Sequence, residues 1–161
     1  MKVTLIAAVF AAGMLTGGMW VKAQQPAPAD LPAQRVTSIG GVFFKAKDPK
    51  ALSAWYRDAL GIALQAGGAY SLFEWRERED SSRLGHTVWS LFPSSTKYFA
   101  PSDATFMVNY RVRDLDKMLA QLRALGARIE PKVVDDFNGK FAWIVDPEGN
   151  KLELWEPKAG Y

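Results

Sequence analysis

The pattern of apolar positions along the chain first indicates a strand and then a helix. Residues 36–45 are rich in Val, Ile and Phe, which is typical of a β-strand. Asp48 and Pro49 follow as helix-start signals, a capping carboxylate and a proline in the first turn, where a missing N–H costs nothing. The next apolar residues recur at helical spacing, so we predict an amphipathic helix that ends at Gly61. Its apolar stripe consists of Leu52, Trp55, Tyr56, Ala59 and Leu60.

Three short strands are predicted after this helix, at 62–65, 70–75 and 87–92. A charged segment at 76–83 separates the last two. Its charges could gather a cation, but their alternating sign favours a solvated hairpin turn. The first half of the chain is therefore predicted to be a βαβββ unit.

The second half repeats this order. The segment from Phe44 to Pro49 returns as Tyr110 to Leu115, about 66 residues later, and such internal repetition is typical of duplicated architecture. We predict a strand at 105–112, a helix capped by Asp114 and ended by Gly126, and strands at 128–130, 141–145 and 151–155. The apolar stripe of this helix consists of Leu115, Met118, Leu119, Leu122 and Leu125. Residues 146–150 (DPEGN) form the last hairpin turn and lack the carboxylate spacing of a calcium loop.

Side chains alternate across a sheet, so strand parity assigns each residue to a face. One row is predicted to pack under the two helices: Val42, Phe44, Val108, Tyr110, Val112, Leu152 and Leu154. The opposite row is predicted to line a concave side: Gly41, Phe43, Val88, Ser90, Phe92, Met107, Asn109, Glu153 and Trp155. This concave row is mostly apolar and aromatic, which favours a cavity for a small apolar or aromatic molecule.

The composition predicts one globular domain and argues against nucleic acid as a partner. The 161 residues are 48% hydrophobic, enough for one core, and there is no cysteine. The net charge is +3, but without Lys2 and Lys22 the chain has 18 basic and 17 acidic residues. A domain so close to neutral has no electrostatic footprint for nucleic acid.

The N-terminal residues indicate export. Lys2 precedes an uncharged, mostly apolar segment at 3–21, and Val21 and Ala23 are small residues at the positions that signal peptidase requires. We predict a signal peptide at 1–23, cleaved after Ala23, and a periplasmic or secreted protein. The alternative is an uncleaved membrane anchor. Residues 24–35, with three prolines, are predicted to be a flexible linker.

Three segments carry a resemblance to a known family: 40–48 (GGVFFKAKD), 55–61 (WYRDALG) and 146–157 (DPEGNKLELWEP). In order and spacing the chain resembles the vicinal oxygen chelate superfamily, which includes glyoxalases, bleomycin-resistance proteins, fosfomycin-resistance enzymes and ring-cleaving dioxygenases. The resemblance implies an α+β fold in which two tandem βαβββ modules pair into an incomplete barrel around a concave cavity. It places the domain at 36–158, with modules at 36–93 and 104–158 and a linker at 94–103.

The resemblance also places the superfamily's metal ligands, and this chain departs from them. The positions carried over are Gly41, Ser90, Met107 and Glu153, of which only Glu153 suits a hard divalent ion. His86, the only histidine, lies four residues from Ser90, roughly 13 Å along a strand. We therefore predict a metal-independent protein with no cofactor. The alternative is a glyoxalase or dioxygenase-type enzyme that binds a divalent metal with an unusual ligand set including Glu153.

The role of the concave residues has two interpretations. Glu153 is the only candidate catalytic residue, as a general acid or base with a raised pKa, or it is an ancestral carboxylate paired with Asn109 or Arg111. The rings of Phe43, Phe92 and Trp155 either stack on a planar ligand or fill the mouth of the barrel. The resemblance also allows a homodimer or an accessory module that works by association, and no residue decides the oligomeric state.

Overall fold

The computed structural model describes residues 34–78 and 80–161. The predicted signal peptide at 1–23, and all but the last two residues of the predicted linker, lie outside the described residues. The elements in chain order are β1 (Val36–Ala46), α1 (Pro49–Leu60), β2 (Tyr70–Arg76), β3 (Leu84–Pro93), β4 (Phe106–Val112), α2 (Leu115–Ala124), β5 (Arg128–Asp136), β6 (Gly139–Val145) and β7 (Lys151–Pro157).

All seven strands form one sheet in the order β2-β3-β1-β4-β7-β6-β5. The first strands of the two halves, β1 and β4, pair antiparallel at the centre, with Phe43 opposite Met107. Each then pairs in parallel with the last strand of its own half, β3 or β7. The predicted mixed α+β fold of two tandem modules is confirmed, and the sheet is open rather than closed.

The predicted strand at 62–65 is wrong, because this segment has no regular secondary structure. Its contacts to β2 are a hydrogen bond from the Gln65 amide to the Tyr70 carbonyl (2.9 Å) and one from Ser71 Oγ to the Ala63 carbonyl (2.7 Å). Gly67 and Gly68, both with positive φ, turn the chain before a ladder can extend. The first module thus has three strands, whereas the corresponding strand of the second module, β5, is present and is longer than predicted.

The helices begin where the sequence predicts. Asp48 and Asp114 each accept a hydrogen bond from the backbone amide three residues later, at 2.9 Å in both cases. The first amide of α2 also donates to Glu156 at 2.6 Å, so this helix is tied to β7. Each interaction satisfies an amide that has no partner within its own helix.

The buried face of α2 is confirmed at Leu115, Met118 and Leu119, which pack against β4, β6 and β7, whereas Leu125 at the end of the predicted stripe is exposed. The predicted stripe of α1 is only partly correct. Leu52 and Tyr56 pack against the sheet, but the buried residue of α1 is Ser53, and Trp55 and Leu60 are exposed. The space below α1 is filled by Trp89, whose ring lies 4.9 Å from that of Tyr56, so a small residue faces the sheet.

A third cluster lies on the side of the sheet opposite the helices. Phe43, Phe99, Met107 and Trp143 are buried together there, and they come from both halves and from the linker between them. In the described part of the chain, no helix has the length and apolar character needed to span a bilayer.

Candidate functional site

A cavity of about 700 Å³ opens on the concave side of the sheet. Its walls come from both modules, from the linker that contains Tyr98, and from the C-terminal residues Gly160 and Tyr161. Aromatic rings make up much of this wall: Phe43, Tyr70, Phe92, Tyr98, Phe137, Phe141, Trp143, Trp155 and Tyr161. The volume and apolar lining are those of a small-molecule site.

Seven residues predicted from strand parity line this cavity: Phe43, Val88, Ser90, Phe92, Asn109, Glu153 and Trp155. Two predicted residues do not. Gly41 faces the Phe43 ring, since a Cβ there would come within 2.7 Å of it, whereas Gly40, beside a register irregularity between Ile39 and Gly41, lies at the wall. Met107 has the predicted parity, but it is buried in the cluster beside the cavity.

Glu153, on β7, is a buried carboxylate with three hydrogen-bond donors around it. Asn109 Nδ2 donates to Oε1 at 2.6 Å, and Trp143 Nε1 donates to Oε2 at 2.8 Å. The Tyr98 hydroxyl donates to Oε2 as well. Of the two alternative partners considered from the sequence, Asn109 is the one that contacts Glu153, whereas Arg111 pairs with Glu77 at 3.1 Å.

Burial dominates the acid chemistry of this network. It raises the pKa of Glu153, although the hydrogen bonds from Tyr98, Asn109 and Trp143 favour the charged form and oppose the shift. Burial and the adjacent Glu153 charge also raise the pKa of the Tyr98 hydroxyl. Both acids therefore hold their protons more tightly than they would in water.

Tyr98 and Trp143 are the residues of the candidate site that sequence reasoning missed. Tyr98 lies in the segment predicted to be only a linker, and its ring stacks on Phe92 with centroids 5.4 Å apart. Trp143 is a buried residue of β6, and Glu153 is its cross-strand partner on β7. The sequence feature that could have identified Tyr98 is a pair of adjacent aromatic residues, Tyr98 and Phe99, within a segment rich in Ser and Pro.

Asn109 has a second polar atom at the wall. Its Oδ1 is buried and accepts no hydrogen bond. A side chain added at Gly40 would place Cβ only 2.2 Å from this oxygen and 2.9 Å from the Trp155 ring. Glycine at position 40 therefore lets the Asn109 amide and the Trp155 ring pack directly against the backbone.

His86 lines the cavity at the end away from the linker, opposite Glu74 on β2. Its Nε2 lies 3.6 Å from Glu74 Oε1, and its Nδ1 is buried without a hydrogen-bond partner. No group of three or more His, Cys, Asp or Glu side chains that could hold a metal ion occurs among residues 34–78 and 80–161.

These residues do not fit the superfamily's divalent metal. The oxygens of Glu153 already accept hydrogen bonds from three donors, and Asn109 directs an N–H toward the carboxylate, where a cation would be repelled. The three other inherited positions carry a glycine, a serine and a thioether.

The open two-module sheet with a cavity on its concave side defines a class of protein, and the comparisons with known proteins agree with that class. A family model described as a glyoxalase-like domain matches residues 41–155. The chain therefore belongs to the glyoxalase-like domain family, which confirms the resemblance seen in the sequence. A search of curated proteins found no significant match.

Solved structures share the fold at low sequence identity. A variant of Streptomyces coelicolor methylmalonyl-CoA epimerase in complex with 2-nitronate-propionyl-CoA is similar with a TM-score of 0.56 and 16% identity, over 78% of this chain and 97% of the epimerase. A variant of homoprotocatechuate 2,3-dioxygenase from B. fuscum is similar with a TM-score of 0.54 and 20% identity, over 83% of this chain and 36% of the dioxygenase. At these identities the likeness shows the fold alone.

Proposed function

We propose that this protein binds a small, flat, largely apolar molecule in the concave cavity without the help of a metal ion. The observation that carries the proposal is the cavity wall, which consists mainly of aromatic rings around a carboxylate whose oxygens are already hydrogen-bonded. Such a wall supplies contact area to a planar guest and few charges.

Two stacked ring pairs border the cavity. Phe92 lies on Tyr98 at 5.4 Å with an interplanar angle of 8°, and Phe141 lies on Trp155 at 6.1 Å and 7°. Side chains that are already stacked on one another lose little further entropy when a flat guest binds against them. This rigidity favours a planar guest over a flexible chain.

The polar atoms at the wall indicate which groups the guest carries. Asn109 Oδ1 is an unused acceptor, and His86 Nδ1 is also buried without a partner. A hydroxyl or N–H on the guest would satisfy Asn109, which otherwise keeps a desolvated oxygen without a hydrogen bond. The proposed ligand is therefore an aromatic molecule with at least one hydrogen-bond donor, such as a phenol or an aromatic amine.

Titration calorimetry with 1-naphthol, a planar ring system with one hydroxyl, tests this proposal. We expect saturable binding that Phe92→Ala weakens roughly tenfold, the scale of one lost aromatic contact. Phe106→Ala is the matched control, because Phe106 is an exposed phenylalanine outside the cavity wall. Absence of binding, or equal weakening by both substitutions, would contradict the proposal. Mass spectrometry of small molecules that copurify with the protein identifies the natural guest.

The proposed metal independence has its own test. Elemental analysis of the purified protein should find no stoichiometric divalent ion, and added Mn²⁺, Fe²⁺, Ni²⁺ or Zn²⁺ should leave thermal stability unchanged. A stoichiometric metal that disappears in Glu153→Ala would instead support the glyoxalase or dioxygenase-type enzyme. The occupied oxygens of Glu153 favour the first result.

We also propose that the protein is exported. The support is the sequence of the N-terminal segment, with Lys2 before an uncharged stretch and small residues at Val21 and Ala23. Cell fractionation and N-terminal sequencing test it, with a mature chain that begins at Gln24 as the expected result. A full-length chain in the membrane fraction would support the uncleaved anchor.

A further inference from the structure

A second pocket, of about 280 Å³, lies beside the ends of β4 and β7 and shares no lining residue with the concave cavity. Among the described residues that line it, the charged ones are Arg83, Arg111, Arg113 and Glu77. Thr37, Val112 and Pro157 complete its wall. The proposed small-molecule function makes no use of this pocket.

Arg111 is the unusual residue of this pocket. Its side chain is only 6% exposed, and its guanidinium lies between two indoles, 5.6 Å from the ring of Trp75 and 5.8 Å from that of Trp155. Nη2 donates to Glu77 Oε1 at 3.1 Å, whereas Nη1 is buried and has no hydrogen-bond partner among the described residues. A buried guanidinium nitrogen without an acceptor is costly. We therefore expect a ligand that supplies an acceptor to this nitrogen.

The charges around Glu77 are also unbalanced. Arg83 approaches the same carboxylate at 3.7 Å, longer than the 3.1 Å contact of Arg111, so in the described part of the chain two guanidinium groups share the one charge of Glu77. Burial lowers the pKa of Arg111, and the nearby charge of Arg83 lowers it further while Glu77 opposes the shift. One more negative group would relieve this repulsion and give Nη1 an acceptor.

We propose that this pocket binds a small oxyanion, a carboxylate or a phosphate, through Arg111 Nη1 with Arg83 as the second cation. The rigid fork of a guanidinium matches the paired oxygens of either group. The Arg111 side chain is already buried against two indoles, so little side-chain freedom is lost on binding. This site is separate from the aromatic cavity, and it stands whether or not the cavity binds a guest.

Calorimetry on the full chain, at constant ionic strength in chloride, tests the site with inorganic phosphate, sulfate and acetate as probes. We expect saturable binding of at least one probe. Arg83→Gln should weaken it at least about tenfold, the scale of one charge-assisted hydrogen bond. Arg111→Lys keeps the charge but loses the fork, and it should weaken binding to a similar degree. Glu77→Gln removes the competing carboxylate and should tighten binding severalfold.

Two controls separate this site from other effects. Arg123→Gln removes an arginine of α2 that lines neither pocket, and Phe92→Ala alters only the concave cavity. Both should bind the probes like the unmodified protein. Arg83 is 59% exposed, so its replacement is expected to fold even if a change at Arg111 does not. The proposal is overturned if no probe binds saturably, or if Arg83→Gln and Arg123→Gln bind equally.

Discussion

Glu153 joins three elements that are distant in sequence. Its donors come from the loop after β3 (Tyr98), from β4 (Asn109) and from β6 (Trp143). Donors on all sides fix the carboxylate in one position, yet burial still disfavours its charge. A neutral glutamine can take its place, because rotation of the Asn109 amide would offer the now unused Oδ1 to the new NH₂ group.

We therefore expect Glu153→Gln to change how stability depends on pH. Burial raises the folded-state pKa above the ordinary value of 4.5, so the stability from Glu153 is fully present below pH 4.5 and is lost as pH rises through the folded-state pKa. The melting temperature of the unmodified protein, relative to Glu153→Gln, should fall from pH 4.5 upward. Thermal unfolding of both proteins between about pH 4.5 and 9 measures this difference.

A second variant, Tyr98→Phe, tests the same pH effect. It removes a donor that favours the charged form of Glu153, so the folded-state pKa should rise further. The loss of stability should then extend to higher pH than in the unmodified protein. Parallel melting curves for the unmodified protein and Glu153→Gln would show that the carboxylate does not titrate differently in the folded state.

At the scale of elements, the two helices differ in how they meet the sheet. Leu115 at the start of α2 is fully buried, and its own backbone amide donates to Glu156. Leu60 at the end of α1 is 63% exposed, although helical periodicity assigned it to the buried stripe. Periodicity identifies an apolar side of a helix, but the residues of the sheet decide which part of that side is covered.

A pair of leucine substitutions measures this difference. Leu115→Ala should lower the free energy of unfolding by about 2–5 kcal/mol, since it leaves a cavity in a packed cluster. Leu60→Ala should change it by less than about 0.5 kcal/mol, as is usual for exposed positions. Urea denaturation of the two variants gives both values. Equal losses would mean that Leu60 is buried, for instance against a second copy of the chain.

At the scale of the whole molecule, the two modules share a continuous sheet and a common apolar cluster. β1 pairs with β4 across the centre, and the concave cluster takes Phe43 from the first module and Met107 and Trp143 from the second. Phe99 of the linker is fully buried in the same cluster. Neither module can lose its structure without exposing apolar surface of the other.

The chain should therefore unfold in one cooperative transition. Tryptophan fluorescence reports on Trp89 under α1 and on Trp143 beside the cavity, while far-ultraviolet circular dichroism reports on the whole backbone. In urea the two signals should give the same midpoint and slope. Separate transitions would show that the modules fold independently and that the cavity between them is only loosely held.

The sequence by itself determined the repeat, the helix caps, the turns and most of the concave row. These features depend on local periodicity and local hydrogen bonds, so neighbouring residues are enough to specify them. Val88, Ser90, Phe92 and Glu153 line the cavity as strand parity predicts.

Only the tertiary structure decided the details of the site. Gly40 lies at the wall beside an irregular pairing of β1 with β4, and the ring of Phe43 covers Gly41. The path of the linker brings Tyr98 to Glu153, and Arg111 pairs with Glu77 of the first module. Contacts between residues far apart in the chain follow from how the sheet curves, which no local pattern encodes.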